Sequence, residues 1–209
     1  MHRLILLLAL FGYLPAFTQY KPLDASTINR IKEGVAEAAR TTNTISSDFT
    51  QEKEMTILKD RILTSGKFFF KKEQQLRWEY THPFSYTIVI RDDEITIRDE
   101  GEVRSFNTQA NRVFAEVNRI IIGSVRGTLL DDTGFKASYT QSNGNYIVRL
   151  TPLLVTLQES LQEIVIYFSK ADFTVDKLEL FEPAGDFTRI TFSTKKLNQP
   201  LSNEIFSLY

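Results

Sequence analysis

The chain contains no cysteine, and that absence removes disulfides, thiolate metal ligands and a cysteine nucleophile together. It also removes the residue on which a bacterial lipoprotein would carry a lipid anchor of its own. Histidine is nearly as scarce: beyond His2 there is only His82, set before Pro83 in a turn. A Ser-His-Asp triad, a histidine metal cluster or a histidine acid/base pair therefore lacks its parts, and no serine sits in a G-x-S-x-G elbow. The chain is read as a non-enzyme with no cofactor. An excess of either charge is missing as well: 25 Lys+Arg stand against 26 Asp+Glu, a formal net charge of −1. No bulk field draws the chain to nucleic acid or to an anionic bilayer. After the first residues, no apolar run approaches the ~20 residues a spanning helix needs.

The first residues read as an export signal. His2 and Arg3 make a weakly positive start, Leu4 to Phe11 is an unbroken apolar run, and Gly12, Pro15 and Ala16 follow. This order predicts a secretory signal peptide over about residues 1–19, with cleavage between Ala16 and Gln19. The alternative is an uncleaved amphipathic or core helix. The remaining residues, 20–209, show no linker, low-complexity tract or internal repeat, so they are expected to form one exported, soluble domain.

Ile28, Ile31, Val35 and Ala38 recur at spacings of three and four behind Asp24, Ser26 and Thr27. That spacing predicts one amphipathic helix over about Asp24 to Arg40, with a narrow apolar stripe that lies on something as a lid. From Ser46 the period changes to two. Strands are predicted at Ser46–Thr56, Ile62–Lys71, Leu76–Tyr80, Ser85–Arg91, Glu94–Asp99 and Glu102–Phe106. Their links are too short for a crossover helix, so these strands form antiparallel hairpins. Between Asn111 and Leu130 helical spacing returns in Val113, Val117, Ile120 and Ile121, broken near Gly123, which predicts two short helices pressed on the sheet. Strands resume at Phe135–Gln141, Tyr146–Thr151, Glu163–Ser169, Thr174–Glu182 and Phe187–Thr194. The pattern is α+β: one antiparallel sheet curled on itself, with helices grouped in two places.

A sheet built of this many hairpins has a concave face. Leu76, Trp78 and Tyr80 share one parity, Tyr86, Ile88 and Ile90 repeat it on the next arm, and Arg77 and Glu79 face away. The six point inward together, beneath lid residues Ile31, Val35, Ile120 and Ile121. Two readings follow, a plain core or the wall of an apolar cavity of the kind that takes small amphiphiles, and periodicity alone does not choose between them. Three further patterns have plain explanations. Arg91-Asp92-Asp93-Glu94 lacks the spacing of a Ca²⁺ loop and reads as a solvated hairpin turn. Gly123 to Gly127 is a break between helices, not a phosphate loop. Lys71 and Lys72 could meet a lipid headgroup or an acidic partner, but an exposed basic turn accounts for them.

Certain stretches carry a resemblance. Asp48-Phe49-Thr50-Gln51, Ser65-Gly66-Lys67-Phe68 and Leu76-Arg77-Trp78-Glu79-Tyr80 followed by Pro83 resemble, in order and spacing, the F-x-Q, S-G-x-[FL] and R-W-x-Y-x-x-P pattern of the outer-membrane lipoprotein carrier (LolA) family. Gly127-Thr128-Leu129-Leu130 after the helical insertion agrees with the same pattern. The resemblance implies a half-open β-barrel with a helical lid over an apolar cavity, and a location in the periplasm. The implied cargo is the acyl chains of lipoproteins, moved from inner to outer membrane. The implied partners are acylated lipoproteins, an inner-membrane release transporter and an outer-membrane acceptor, with the carrier itself a monomer. Leu76, Trp78 and Ile88 match cavity-lining positions, and Phe49 is counted with the wall. Lys72 stands where the family's lid-gating arginine is found, and a lysine lacks the planar fork of that contact. A binding protein for another amphiphile, such as a glycolipid or a polyene lipid, is the alternative on the same scaffold.

Overall fold

Asp24 starts the first helix by an ordinary chemical route. Its carboxylate accepts from the Thr27 backbone N–H at 2.9 Å and from the Ser26 hydroxyl at 2.6 Å, satisfying an amide that a helix N-terminus leaves without a partner. The computed structural model describes residues 23–57, 60–72, 75–91, 94–107, 122–123 and 127–208. Within them α1 runs Ala25–Thr41. The strands are β1 Thr44–Met55, β2 Asp60–Lys71, β3 Gln75–His82, β4 Tyr86–Arg91, β5 Glu94–Asp99 and β6 Glu102–Asn107, then β7 Phe135–Gln141, β8 Asn145–Pro152, β9 Glu163–Ser169, β10 Val175–Phe181 and β11 Phe187–Leu197. The expected signal peptide and most of the segment expected to form two middle helices lie outside the described residues.

All eleven strands belong to one antiparallel sheet in the order β6-β5-β4-β3-β2-β1-β11-β10-β9-β8-β7. Two meanders, β1 to β6 and β7 to β11, are therefore joined by the pairing of the first strand with the last. β6 and β7 do not pair, so the sheet curls without closing and forms an open half-barrel. Alternation builds its concave face. Ile45 and Phe49 on β1, Phe68 and Phe70 on β2, Leu76 and Trp78 on β3, Ile95 on β5, Val148 and Leu150 on β8, and Ile164 and Ile166 on β9 join one buried cluster with Ile31 and Val35 of α1.

Two glycines mark close approaches. Where the β2–β3 register slips beside Ser65 and Gly66, a Cβ on Gly66 would stand 1.8 Å from the Glu79 carbonyl oxygen. The Ser-Gly pair of the sequence pattern thus has a steric cause. On α1, a Cβ at Gly34 would lie 2.4 Å from the Phe173 ring, so glycine lets the helix settle onto the β9–β10 link.

On the convex face charged side chains lie among apolar ones such as Ile147, Val165, Phe181 and Phe187, and the C-terminus covers one part of it. Leu201 to Leu208 crosses β2–β5, with Phe206 and Leu208 packed on Val89 beside Phe69 and Val103. Arg77, expected to face away from the inward set, does so and donates from Nη1 to the Ile205 carbonyl at 3.1 Å. Elsewhere on this face Glu179 accepts from Arg189 Nε at 2.8 Å and from the Tyr167 hydroxyl at 2.9 Å. Burial pushes the Glu179 carboxyl up, but the bonds from Arg189 and Tyr167 and the nearby Lys177 hold it below its ordinary value.

Candidate binding face

β1 to β4 place the predicted wall residues side by side. Leu76 lies opposite Ile90, Trp78 opposite Ile88 and Tyr80 opposite Tyr86 across β3–β4, while Phe68 lies opposite Trp78 across β2–β3. Trp78 is the hub of a ring cluster: its centroid is 4.8 Å from Phe49, 5.1 Å from Phe68 and 6.0 Å from Phe192. Phe49 also meets Tyr80 edge-on at 5.2 Å. Phe49, Leu76, Trp78 and Ile90 are buried, whereas Tyr80, Tyr86 and Ile88 are half-buried. Ile31 and Val35 of α1 are buried in the same cluster, and Ile120 and Ile121 lie outside the described residues. Phe68 and Phe192 belong to this face as closely as the residues singled out from the sequence, and their parity with Gly66 and Ile190 is the signal that marks them.

The rings touch, so this face is shut among the described residues. The space beneath α1, between Ala38, Thr42, Ile45, Phe68, Phe173 and Phe192, is about 30 Å³, room for one water. α1 itself is held lightly. Its fully buried side chains are Ile31 and Val35. Its polar ties among the described residues include Arg30 Nη2 to the Tyr146 hydroxyl at 2.7 Å, Lys32 to Asp131 at 2.9 Å, Asn198 Nδ2 to the Thr41 carbonyl at 3.2 Å, and Lys72 Nζ to the Arg40 carbonyl at 2.9 Å. The last is a single ammonium donor on the carbonyl end of the helix, where positive charge suits the helix dipole.

Toward the other end of the sheet the concave face turns polar. Gln51 on β1 lies opposite Thr64 on β2, and the Tyr80 hydroxyl donates to Gln51 Oε1 at 3.0 Å. Burial, reinforced by neighbouring Tyr86, pushes the Tyr80 hydroxyl up to about 12, against the bond to Gln51 and the nearby Trp78 indole. It stays a neutral donor at any physiological pH. Beyond this band lies a rim of exposed apolar side chains: Ile57 and Ile62 at the β1–β2 turn, Phe84 in the β3–β4 link, and Leu153, Leu154 and Val155 after β8. The described residues contain no group of three His, Asp or Glu placed to hold a metal ion, and no helix long and apolar enough to cross a membrane.

The profile of the outer membrane lipoprotein carrier protein LolA matches residues 40–209. No curated protein matches the chain. Among solved structures, an uncharacterized conserved protein from Thermus thermophilus superposes with a TM-score of 0.56 at 8% identity, over 88% of this chain and 94% of that one. Lipoprotein LppX of Mycobacterium tuberculosis gives 0.50 at 10% identity, over 86% and 99%. A LolA superfamily protein from Nitrosomonas europaea gives 0.44 at 10% identity, over 86% and 97%. The first two likenesses show the fold.

Proposed function

Since the chain belongs to the LolA family of outer membrane lipoprotein carriers, we propose that it is a periplasmic carrier that takes up the acyl chains of lipoproteins at the inner membrane and releases them at the outer. The observation that carries this reading is the continuous apolar concave face of an unclosed sheet, covered by a helix that buries only Ile31 and Val35 fully. A chain of ~15 methylenes left in water costs about 12 kcal/mol, so free diffusion of such a lipid between membranes is negligible. Full burial would hold the cargo as firmly as a bilayer does and prevent its delivery. A half-barrel whose cover lifts gives partial burial and a route out.

Uptake then begins from the shut form. α1 gives up its few ties, the rings around Trp78 part, and the acyl chain packs against the ring faces that this exposes. The lysine at position 72 acts as one of several weak latches, not as a two-pronged lock. An inner-membrane release transporter supplies the cargo, an outer-membrane acceptor receives it, and the carrier works as a monomer.

The test is incubation of the purified protein with inner membranes carrying a radiolabelled lipoprotein. Release of label into the soluble fraction as a complex with the protein is the expected result. Extraction of a non-protein lipid with no lipoprotein released would overturn the reading in favour of a carrier for another amphiphile.

A further inference from the structure

Three buried donors on the concave face have no partner among the described residues: the Tyr139 hydroxyl on β7, and two that lie together on β2 and β3. The Trp78 indole Nε1–H and the Thr64 hydroxyl make no hydrogen bond, and their residues are only 4% and 5% exposed. An unpartnered buried polar group is costly, and native proteins carry few of them. The two flank the Tyr80–Gln51 hydrogen bond: Thr64 faces Gln51 across β1–β2, and Trp78 sits two residues before Tyr80 on the same face of β3. The Trp78 N–H lies near the Tyr80 oxygen without reaching the geometry of a bond to it. With its oxygen taken by Tyr80, Gln51 adds its amide nitrogen as a further donor.

The position of this group matters as much as its chemistry. Along β1, Ile45 and Phe49 lie on the apolar side, Gln51 in the polar band, and Ile57 at the exposed rim. Along β2, Phe70 and Phe68 precede Thr64 in the same direction, and along β3, Leu76 and Trp78 precede Tyr80. An apolar floor therefore ends in a narrow collar of neutral donors before the mouth. An indole N–H can only donate. The Tyr80 proton is retained, and none of these side chains is charged. The collar fits a neutral acceptor and offers no ion pair to a phosphate or an amine.

We propose that Trp78, Thr64 and Gln51 form a carbonyl-binding collar that recognises the ester or amide linkages joining acyl chains to their headgroup, with the chains on the floor beyond. The inference rests on the carrier reading and narrows it: the cargo is selected by its linkage as well as by its hydrocarbon. Lipids of equal chain length without carbonyls are held less well.

The experiment is a competition. The protein is incubated with an equimolar mixture of dipalmitoylglycerol, a diester, and dihexadecylglycerol, its diether counterpart, and the lipid retained after gel filtration is quantified by mass spectrometry. Two hydrogen bonds of ordinary net strength predict an enrichment of the diester of about tenfold. Thr64→Val, which removes a donor while keeping shape, lowers that enrichment about threefold or more, with the amount of diether retained unchanged. Trp78→Phe, which removes a donor and part of the floor together, lowers the retention of both lipids but that of the diester about threefold more than that of the diether. Circular dichroism reports that each variant is folded, and either variant suffices if the other does not fold. Equal retention of the two lipids by the wild-type chain, or an enrichment that survives both substitutions, overturns the collar and leaves the carrier reading standing. Retention of neither lipid overturns the carrier reading itself.

Discussion

Replacing Ile31 by alanine tests whether α1 is a cover or a structural member. Ile31 is fully buried and faces the concave cluster. Full burial of side chains such as Ile31 and Val35 contributes about 1.5–3 kcal/mol each. The exposed ties of Lys32 and Lys72 add at most about 1 kcal/mol apiece. These contributions dock the helix by about 3–8 kcal/mol, within or below the 5–15 kcal/mol of a typical domain. It is therefore expected to leave while the sheet stays folded. Ile31→Ala removes about 2–3 kcal/mol of that docking, which corresponds to roughly a hundredfold rise in the population of the undocked helix. Native-state hydrogen exchange reads the effect residue by residue. Protection of the α1 amides around Val35 and Ala38 falls by that factor, while the central amides of β1, β8 and β9 keep theirs. An equal fall in protection across the helix and the strands would refute the reasoning, because α1 would then open only with global unfolding.

Other outcomes follow from the same geometry. Gly66→Ala forces a Cβ into the Glu79 carbonyl and is expected to destabilise the chain by at least about 1–3 kcal/mol in urea titration. Phe206→Ala strips the convex cover from Val89 and costs about 3 kcal/mol by the same measurement; it leaves lipid retention unchanged because it acts on the opposite face. The Asp24 carboxyl is held at about 2 by the Ser26 and Thr27 bonds, below its ordinary 3.8. Its capping contribution is complete above pH ~4 and is lost as pH falls through ~2, since protonation is disfavoured in the folded state. Helix content followed by circular dichroism shows this acid step in the wild-type chain and not in Asp24→Asn.

Much of the fold is legible in the residues. Alternation marks every strand, and short links such as Glu100-Gly101 leave antiparallel hairpins as the only connection. α1 is marked by its stripe and by Asp24, whose cap fixes the start of the helix. The β1–β11 pairing that joins the two meanders brings together strands far apart in the chain, and no local signal announces it. The C-terminal cover is also invisible in the sequence, because Leu201, Ile205, Phe206 and Leu208 follow no strand or helix period and are buried only because Val89 and Phe69 lie beneath. The apolar half of the candidate binding face is readable from parity in Leu76, Trp78 and Tyr80. The polar half is not, although Gln51 shares the parity of Phe49 and Thr64 that of Phe68. Polar residues on a strand suggest the solvent side, and only the curl of the sheet turns these two inward. Parity assigns Trp78 to a wall, but its shut packing against Phe49 and Phe68 is a property of three-dimensional closure that a period-two pattern does not encode.

Trp78 is the only tryptophan in the chain, so its fluorescence reports from the centre of the face. The most direct test of acyl binding is to add a phospholipid brominated in mid-chain, whose bromine quenches indole emission at contact. Acyl chains lying among Phe49, Phe68 and Trp78 predict strong, saturable quenching that the same lipid without bromine does not produce. Lipid retained by the protein with Trp78 emission undiminished would place the chains elsewhere and contradict the account.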